Sequence, residues 1–563
     1  MKRTPWCTLV LLMLVVSCSS PARQDAPGLA PSNSAPVSTG PKRITAAVLV
    51  PDLPILRTSA TNGGGGVNRI IELIHGGLGR LDSEGKVHPQ LAEAVPSLEN
   101  GLWVVSPDGR MQTTWKIRPD ARWHDGTAVT ADDFVFGAVV EQDKEIPWRV
   151  DTGFQSVQSI DAPDPATVVV NWNKTYIFAD VMTSMPERLV PKHLLQQAYE
   201  QNKGTFLDQP YWSTSFVGAG PYRLKEIVHG SYVLLQAFDG YALGRPKIDE
   251  IEVKFIPGST TLVANLLANS VDLTLGLTLS PDEAVNLRNQ WQDGTVYVSP
   301  EYASTVGIAT QFINPTPSVV GNLQFRRAVA HAADRQALVD SIQAGLSEVA
   351  HSFISVPLQG IESRVVKYEY DPRLAAQMIE ELGYRKGGSG FYEDGAGQRL
   401  TVPFWAVQEE QERAKAMLAV AEDWKRLGID AQPYLVPAQQ QDAEFLATYP
   451  AFFVRGIGGG EDVMALWLKG SSAPRAENGF RGNNRSRYVN AEFDALIDRF
   501  YVTLSQGERR QALGDVIHHL TDQVAGIGLF YNVDISMLNK RLVNVTPSTH
   551  FARGWDAHLW DVK

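Results

Sequence analysis

Short apolar runs typical of β-strands alternate along the whole chain with longer segments whose apolar residues recur every three or four positions. The first pattern predicts strands at 167–172, 232–238 and 250–256. The second predicts amphipathic helices at 262–267, 326–342, 375–382, 414–427, 491–504 and 508–523. Strands and helices mixed over the full length predict an α/β fold rather than a β-sandwich or a helical bundle.

The stretch WKIRPDARWHDGTAVTADDFVF, at 115–136, carries several local signals. The Asp-Gly pair at 125–126 indicates a tight turn, because glycine tolerates the positive φ angle that such turns need. Thr130, followed three positions later by an aspartate, has capping-box spacing, so a helix is predicted to begin at Ala131. His124 precedes the turn aspartate. Because sequence neighbours in a turn point in different directions, we predict a structural histidine rather than an acid–base pair.

The amino-terminal residues have the organisation of an export signal. A basic start leads into an apolar stretch at 8–16, about half of the roughly 20 residues that a membrane-spanning helix needs, and then into small residues at 17–19. The sequence VVSC at 15–18 resembles the bacterial lipobox, so Cys18 is predicted to receive a lipid after cleavage. The alternative is an ordinary signal peptide with an incidental cysteine. Cleavage before Cys18 also removes Cys7, the other cysteine of the chain, so no internal disulfide is expected.

Composition separates a linker from a folded body. Residues 1–17 are predicted to be the signal peptide, and 18–43 the lipidated terminus with a flexible linker rich in Ser, Pro, Ala and Gly. The remaining stretch of about 520 residues exceeds what one core usually supports, so at least two lobes are expected.

The formal charge of −11 becomes about −13 when Lys2 and Arg3 leave with the signal. That balance, without a long basic run, argues against nucleic-acid binding and a polybasic membrane patch.

Several motifs resemble, in colinear order, the extracytoplasmic solute-binding proteins of family 5, which include dipeptide-, oligopeptide- and nickel-binding components of ABC importers. At 123–137, Trp-His-Asp-Gly and Thr-Ala-Asp-Asp-Phe-Val-Phe-Gly match the family's F-H-D-G and T-A-x-D-V-x-F-S. The other motifs are LD at 81–82 with HPQLA at 88–92, VPKHLL at 190–195, VGAGPY at 217–222, FRRA at 325–328 with ADR at 333–335, YDP at 370–372, LGY at 382–384, LGI at 427–429 and FDAL at 493–496. The match spans roughly residues 45 to 540.

The resemblance implies a two-lobe, periplasmic-binding-protein-like (Venus-flytrap) α/β fold with an extra subdomain in the first lobe. Two crossing strands join the lobes, and the ligand lies between them. Lobe I is expected at 45–302 plus 540–563, with the extra subdomain at 81–209, and lobe II at 303–539. Such a hinge implies that ligand stabilises a closed state, because only that state touches it from both lobes. The importer's membrane subunits would then detect closure.

In the peptide-binding members, a loop of roughly G-W-x-x-D-Y supplies an aspartate for the peptide amino terminus and a tryptophan that lines the cleft. The corresponding stretch here is RGIGGGED at 455–462. Ile457 takes the tryptophan position, and Gly460, or the glycine before it, takes the aspartate position, so this free-amine contact does not carry over. Consecutive glycines let backbone N–H groups approach an anionic ligand, and a flexible surface loop is the alternative. The ligand candidates here, including two adjacent acidic substitutes, are Arg455, Gly458, Gly459, Gly460, Glu461 and Asp462.

A second set of candidates follows the predicted strand at 402–407, whose end faces the interlobe gap in this fold. Trp405 offers a flat stacking face, although core packing is the alternative. Gln408 and Glu409 offer hydrogen bonds that would orient a ligand. Arg413 offers a charge for an anionic ligand end.

Motifs of other functional classes are missing from the sequence. It contains no G-x-S-x-G, no H-E-x-x-H and no Cys–His pairing, and TNGGGG at 61–66 lacks the G-K-[ST] ending of a phosphate loop. The 11 histidines are scattered, and His518 and His519 lie about 100° apart around a predicted helix, so no metal site is predicted. No catalysis and no cofactor are expected.

We therefore predict a monomeric, exported receptor, lipid-anchored to the cell envelope in the periplasmic space or at the outer face of the cytoplasmic membrane. It would bind a small peptide or peptide-like ligand and engage the permease subunits of an ABC importer. Two alternatives stay open. One is a non-peptide solute, such as a metal chelate, saccharide or other small anion, and the other is an exported hydrolase.

Overall fold

The computed structural model describes residues 40–53, 56, 67–146, 152–276, 279–356, 358–458, 460–547 and 554–563. The predicted signal peptide, Cys18, most of the predicted linker, the stretch 61–66 and Gly459 lie outside the described residues. The strands are β1 Arg43–Val48, β2 Gly79–Leu81, β3 Val87–Pro89, β4 Trp103–Val105, β5 Met111–Lys116, β6 Val157–Asp164, β7 Thr167–Trp172, β8 Tyr222–Val228, β9 Tyr232–Ala237, β10 Glu250–Phe255, β11 Leu273–Thr274, β12 Gly294–Thr310, β13 Arg385–Lys386, β14 Tyr392–Glu393, β15 Thr401–Val407, β16 Asp430–Val436, β17 Phe452–Gly458, β18 Gly526–Asn539, β19 Leu542–Val543 and β20 Asp561–Val562. The helices are α1 Val67–Ile74, α2 Ala131–Gln142, α3 Ala179–Ser184, α4 Lys192–Gln201, α5 Ser259–Leu267, α6 Pro281–Gln290, α7 Leu323–His331, α8 Arg335–Ile342, α9 Pro372–Glu381, α10 Gln411–Leu427, α11 Ala443–Ala447, α12 Met464–Leu468, α13 Ala491–Val502 and α14 Gln506–Asp522.

Among the described residues, ten strands form one sheet in the order β16-β15-β17-β12-β18-β11-β1-β10-β9-β8. The long strands β12 and β18 pair with each other in antiparallel fashion at its centre. Residues 304–310 of β12 also pair with β17, whereas Leu538 near the end of β18 pairs with β11. The two long strands therefore run from one half of the sheet into the other, and the predicted α/β class is confirmed.

Separate hydrophobic cores cover the two halves of this sheet and a smaller sheet beside it. On the half with β15 and β17, the ring of Phe404 stacks on Trp424 of α10, with ring centroids 4.8 Å apart and ring planes at 21°. The half with β1 and β10 has its own core, which includes Ile251 and Tyr222. The smaller sheet, β4-β5-β7-β6, falls inside 81–209 and has a third core. The described residues form five hydrophobic clusters in all, which fits the expectation that this chain is too long for one core.

Most of the local predictions agree with these elements, and one does not. Helix α2 begins at Ala131, and the carboxylate three positions after Thr130 accepts from the Thr130 N–H at 2.9 Å, so the predicted start is confirmed. The single helix predicted at 326–342 is wrong, because α7 and α8 are separate. Asp334 starts a new helix by accepting from the N–H of Ala337 at 3.0 Å. Apolar periodicity continues through the break because both helices pack against the same core.

Two buried histidines hold a glycine-rich turn in place. Nδ1 of His124 accepts from the N–H of Gly218 at 3.1 Å, and its Nε2 donates to the carbonyl of Gly220 at 3.1 Å. Nδ1 of His75 accepts from the N–H of Ala219, between those glycines, at 3.3 Å. These bonds require neutral rings with the proton on Nε2 of His124, so the predicted structural role of His124 is confirmed.

Acid is expected to destabilise the fold through its buried histidines. Burial lowers the pKa of His124 to about 3 and the pKa of His558 to about 4, whereas an unfolded histidine titrates near 6.5. As the pH falls, these two histidines therefore take up protons in the unfolded chain before they do so in the folded protein. This contribution to the free energy of unfolding is complete above about pH 6.5 and is lost as the pH falls toward 4.5, by roughly 2–3 kcal/mol per histidine. Urea unfolding at a series of pH values measures the loss.

Substitution separates this effect from general acid denaturation. The variant His124→Gln should show a shallower dependence of unfolding free energy on pH between about 6.5 and 4.5. The matched control His518→Gln, at an exposed position of α14, should keep the wild-type slope. A wild-type slope in His124→Gln would show that His124 is not among the groups responsible.

Candidate functional site

Most of the predicted site residues lie at or just after the carboxyl ends of two neighbouring strands. Strands β15 and β17 are parallel neighbours, with Phe404 opposite Phe452, so their carboxyl ends reach the same edge. We call the residues at and after those ends, 408–413 and 458–465, the strand-end surface. In open α/β sheets, ligands bind in the crevice outside the carboxyl ends of the strands. This surface contains Gln408, Glu409, Arg413, Gly458, Gly460, Glu461 and Asp462.

Trp405 lies within β15 and is half-buried in an aromatic cluster. Its ring stacks on Phe445 with centroids 4.8 Å apart and planes at 24°. The ring of Tyr434, on the adjacent β16, lies 5.2 Å away and is tilted by 52°. Much of the indole is therefore used for packing within this half of the sheet, and its contact with a ligand stays a prediction.

Gln408 and Glu409 are exposed just beyond β15. The Glu409 carboxylate accepts from the N–H of Ala438 at 3.2 Å and from Nε2 of Gln441 at 2.8 Å. These bonds connect the segment after β16 to the strand-end surface. Glu409 therefore already has a structural role in shaping the surface, which the sequence pattern did not indicate.

Arg413 lies against the backbone of β17. Its guanidinium pairs with Glu410, one turn earlier in the chain. A Cβ atom added to Gly456 would lie 2.1 Å from Nη2 of Arg413, so a larger residue here would require the guanidinium to move. Gly456 thus makes room for the guanidinium of Arg413, a packing role that its position in the motif did not suggest.

Arg455, on β17, is a cation without a counter-ion among the described residues. Its guanidinium lies over the ring of Phe453 at 5.0 Å, and the part of the chain that the structure describes offers no acceptor to its buried Nη1. Glu410, the acidic group that acts on it electrostatically, is already paired with Arg413. Burial, together with the neighbouring Arg485, lowers the pKa of Arg455 to about 10. The guanidinium therefore remains charged at neutral pH.

The loop after β17 is anchored from outside by Tyr501 of α13. Its hydroxyl accepts from the N–H of Ala465 at 3.0 Å and lies within hydrogen-bonding distance of the carbonyls of Glu461 (2.9 Å) and Asp462 (3.0 Å). The Glu461 carboxylate lies 3.4 Å from Nη1 of Arg510, and burial raises its pKa. Glu461 is therefore engaged within the fold rather than held ready for a ligand amine.

Tyr501 also touches the segment predicted to be the extra subdomain. Its ring stacks on Tyr176 with centroids 6.3 Å apart and planes at 9°, and its carbonyl accepts from the N–H of Ile177 at 3.2 Å. The ring of Phe178 meets it edge-on at 5.8 Å. Sequence reasoning missed Tyr501, because these contacts join segments far apart in the chain and leave no local motif.

A wide α/β sheet with two long paired strands and loops gathered at its strand ends offers a crevice in which a solute can bind. Residues 86–474 match the family model described as bacterial extracellular solute-binding proteins, family 5 Middle. The chain belongs to this family of extracytoplasmic proteins, whose members bind solutes for ABC transporters.

Individual relatives agree on the fold but differ in what they bind. The oligopeptide-binding protein AppA of Bacillus subtilis is 24% identical over 384 residues, or 65% of this chain and 64% of AppA, which is less than two thirds of its length. Heme-binding protein A of Haemophilus influenzae is 24% identical over 521 residues, or 87% of this chain and 85% of that protein. The structure of NikZ from Campylobacter jejuni with Ni(L-His) has a TM-score of 0.74 at 22% identity, covering 92% of this chain and 99% of NikZ.

This likeness to known structures confirms the two-lobe α/β fold. The names of the relatives cover a peptide, heme and a nickel–histidine complex, so the family alone does not identify the ligand.

Within the described part of the chain, no helix combines the length and apolar character needed to cross a membrane. In the same residues, no three His, Cys, Asp or Glu side chains are grouped as metal ligands would be.

Proposed function

We propose that this protein is the receptor of an ABC importer and that it captures a small peptide or peptide-like solute by its carboxylate end. The observation that carries the proposal is Arg455. This guanidinium, three residues before the end of β17, has a buried nitrogen with no acceptor among the described residues. A solute carboxylate in the cleft would supply the acceptor.

Electrostatics favours an anion at this position. A buried charge without a partner is unfavourable, because the desolvation energy is not offset by an attraction. A guanidinium binds a carboxylate with two parallel hydrogen bonds, which provide both energy and orientation. Arg485, close enough to lower the pKa of Arg455, adds a second positive charge to the same region. An anionic group bound beside Arg455 would relieve both unfavourable terms.

The amino end of a peptide has less support in this chain. The position that holds an aspartate in peptide-binding relatives is a glycine here, and the neighbouring Glu461 pairs with Arg510. An ammonium group would have to compete with that guanidinium for the Glu461 carboxylate. We therefore assign orientation of the solute to its carboxylate, with Asp462 and the backbone of the loop after β17 as further contacts.

Closure of two lobes would couple this contact to transport. We place lobe I at 45–302 plus 540–563, with the extra subdomain at 81–209, and lobe II at 303–539, so that the chain passes between the lobes within β12 and again at the end of β18. A solute held by Arg455 and also touched by lobe I stabilises the closed arrangement by that additional contact energy. The permease would then receive the closed receptor.

The envelope location follows from the amino terminus. We propose that the signal peptide, 1–17, is cleaved and that a lipid on Cys18 anchors the monomeric receptor through the linker that ends near residue 43. A lipid at that cysteine would hold the receptor near the permease while the linker leaves the lobes free to turn.

Thermal unfolding with two matched peptide pools tests the proposed recognition. One pool contains di- to pentapeptides as free acids, and the other contains the same peptides as carboxyl-terminal amides. We expect the free acids to raise Tm along a saturating curve, because a ligand that binds only the folded state stabilises it by about 2.7 kcal/mol at 100 times its Kd. The amides should give little or no rise.

The two pools also separate the ways in which the proposal can fail. Equal stabilisation by acids and amides would contradict the role of the carboxylate while keeping a peptide ligand. No stabilisation by either pool would contradict the peptide ligand and turn the search to non-peptide anions.

A further inference from the structure

A cavity of about 620 Å³ lies at the opposite end of β17 from the strand-end surface. Thr448, shortly before β17, and Asn314, shortly after β12, both line it. Phe452 and Thr310, the adjoining strand ends, are paired with each other. Because β17 rises about 3.3 Å per residue, this end lies about 20 Å from the loop that follows the strand. The cavity is therefore distinct from the loop that follows β17.

Two arginines without ion pairs among the described residues line this cavity. Nε of Arg475 and Nε of Arg487 are both buried and have no hydrogen-bond partner in that part of the chain. Burial lowers the pKa of Arg487, and its one described hydrogen bond from the guanidinium is a long one, 3.4 Å, to the carbonyl of Ala447. Glu477 lines the same cavity but lies too far away to pair with either guanidinium. Two partly desolvated cations thus line a cavity in which the carboxylate among the described lining residues, Glu477, pairs with neither of them.

The wall that presents these arginines is held by its own hydrogen bonds. The N–H of Arg475 donates to Oδ1 of Asn478 at 2.9 Å, and its carbonyl accepts from the N–H of Phe480 at 2.8 Å. Phe480 and Arg487 have φ angles of 56° and 58°, in the left-handed region that side chains of this size rarely adopt. Such conformations persist only where the surrounding structure enforces them. The arginines are therefore presented by a fixed wall, with the ring of Phe480 as its apolar part.

We propose that this cavity binds a small oxyanion, a phosphate or carboxylate group, through Arg475 and Arg487. Each guanidinium has a buried Nε donor that no described residue satisfies, and an oxyanion offers several acceptor oxygens at once. The phenyl ring of Phe480 provides an apolar surface against which an apolar group attached to the anion could pack. This site does not depend on what the cleft binds.

Thermal unfolding at constant ionic strength tests the site, with sodium phosphate, sodium acetate or sodium chloride as the varied salt. The full chain carries Arg455→Met, so that the cleft arginine cannot contribute to the response. We expect phosphate or acetate, whichever chemistry the cavity takes, to raise Tm along a saturating curve beyond the effect of chloride. Adding Arg475→Gln together with Arg487→Gln should weaken the apparent affinity at least about tenfold.

A matched control keeps this result specific. Arg481→Gln changes an exposed arginine of the same segment and should preserve the response. Two results would overturn the proposal: no rise beyond that of chloride, or the same response after both substitutions. Should the double substitution prevent folding, Arg475→Gln alone is compared with Arg481→Gln by the same criteria, with calorimetric titration of phosphate as the second readout.

Discussion

Replacing Arg455 with methionine is expected to weaken the binding of a free-acid peptide by roughly 10- to 100-fold, because a hydrogen bond to a charged group contributes about 1.5–3 kcal/mol. Methionine keeps the length and the packing on Phe453 but removes the charge. The free energy of unfolding without ligand should not fall, because the substitution removes a buried cation that has no counter-ion among the described residues. Calorimetric titration with the strongest free-acid peptide of the pool measures the first effect, and urea unfolding measures the second.

Two further variants give this experiment its controls. Arg455→Lys keeps a positive charge but not the planar fork, so it should recover only part of the affinity. Arg399→Gln removes an exposed arginine that forms a 3.7 Å ion pair with Asp430 on the same half of the sheet, and it should bind as wild type does. If Arg455→Met bound the peptide as tightly as wild type, carboxylate recognition at this position would be disproved.

The sequence predicted the fold well, because the features that specify it are local. Glycines at turns, caps at helix starts and apolar periodicity act within a few residues, so α2 and the strands β7, β9 and β10 lie where the pattern indicates. The prediction of a single helix at 326–342 was wrong because of another local feature, whose signal in the sequence is weaker than apolar periodicity. The cap formed by Asp334 divides the segment, although both parts bury their apolar residues in one core.

The candidate site was predicted only as a set of positions. Placement at the strand-end surface follows from the order of the strands, so the positions after β15 and β17 were found together. Most of their partners were not predictable, because those partners come from distant segments. Tyr501 anchors the loop through its hydroxyl, and Gly456 accommodates the guanidinium of Arg413. Arg455 appeared in the motif as one candidate among several, and only the absence of an acceptor among the described residues distinguishes it from the rest.

Replacing Gly218 with alanine is expected to lower the free energy of unfolding by about 3 kcal/mol or more, because no space exists for a side chain there. The added Cβ would lie 1.9 Å from the carbonyl oxygen of Ile74 at the end of α1. That carbonyl cannot move away freely, since it accepts from the N–H of Gly220 at 3.3 Å in the same turn. A displaced turn would also break the bond from the N–H of Gly218 to His124.

Urea unfolding of Gly218→Ala against a tolerant glycine measures this effect. Gly507 lies in the first turn of α14, and a Cβ added there would meet nothing within 4 Å. Gly507→Ala should leave the stability unchanged or raise it slightly, because alanine favours a helix by up to about 1 kcal/mol over glycine. A Gly218→Ala variant as stable as Gly507→Ala would mean that the turn does not pack against α1 as closely as described. A large loss in Gly218→Ala alone would show that close backbone contact with α1 is the physical reason for the first glycine of the VGAGPY motif.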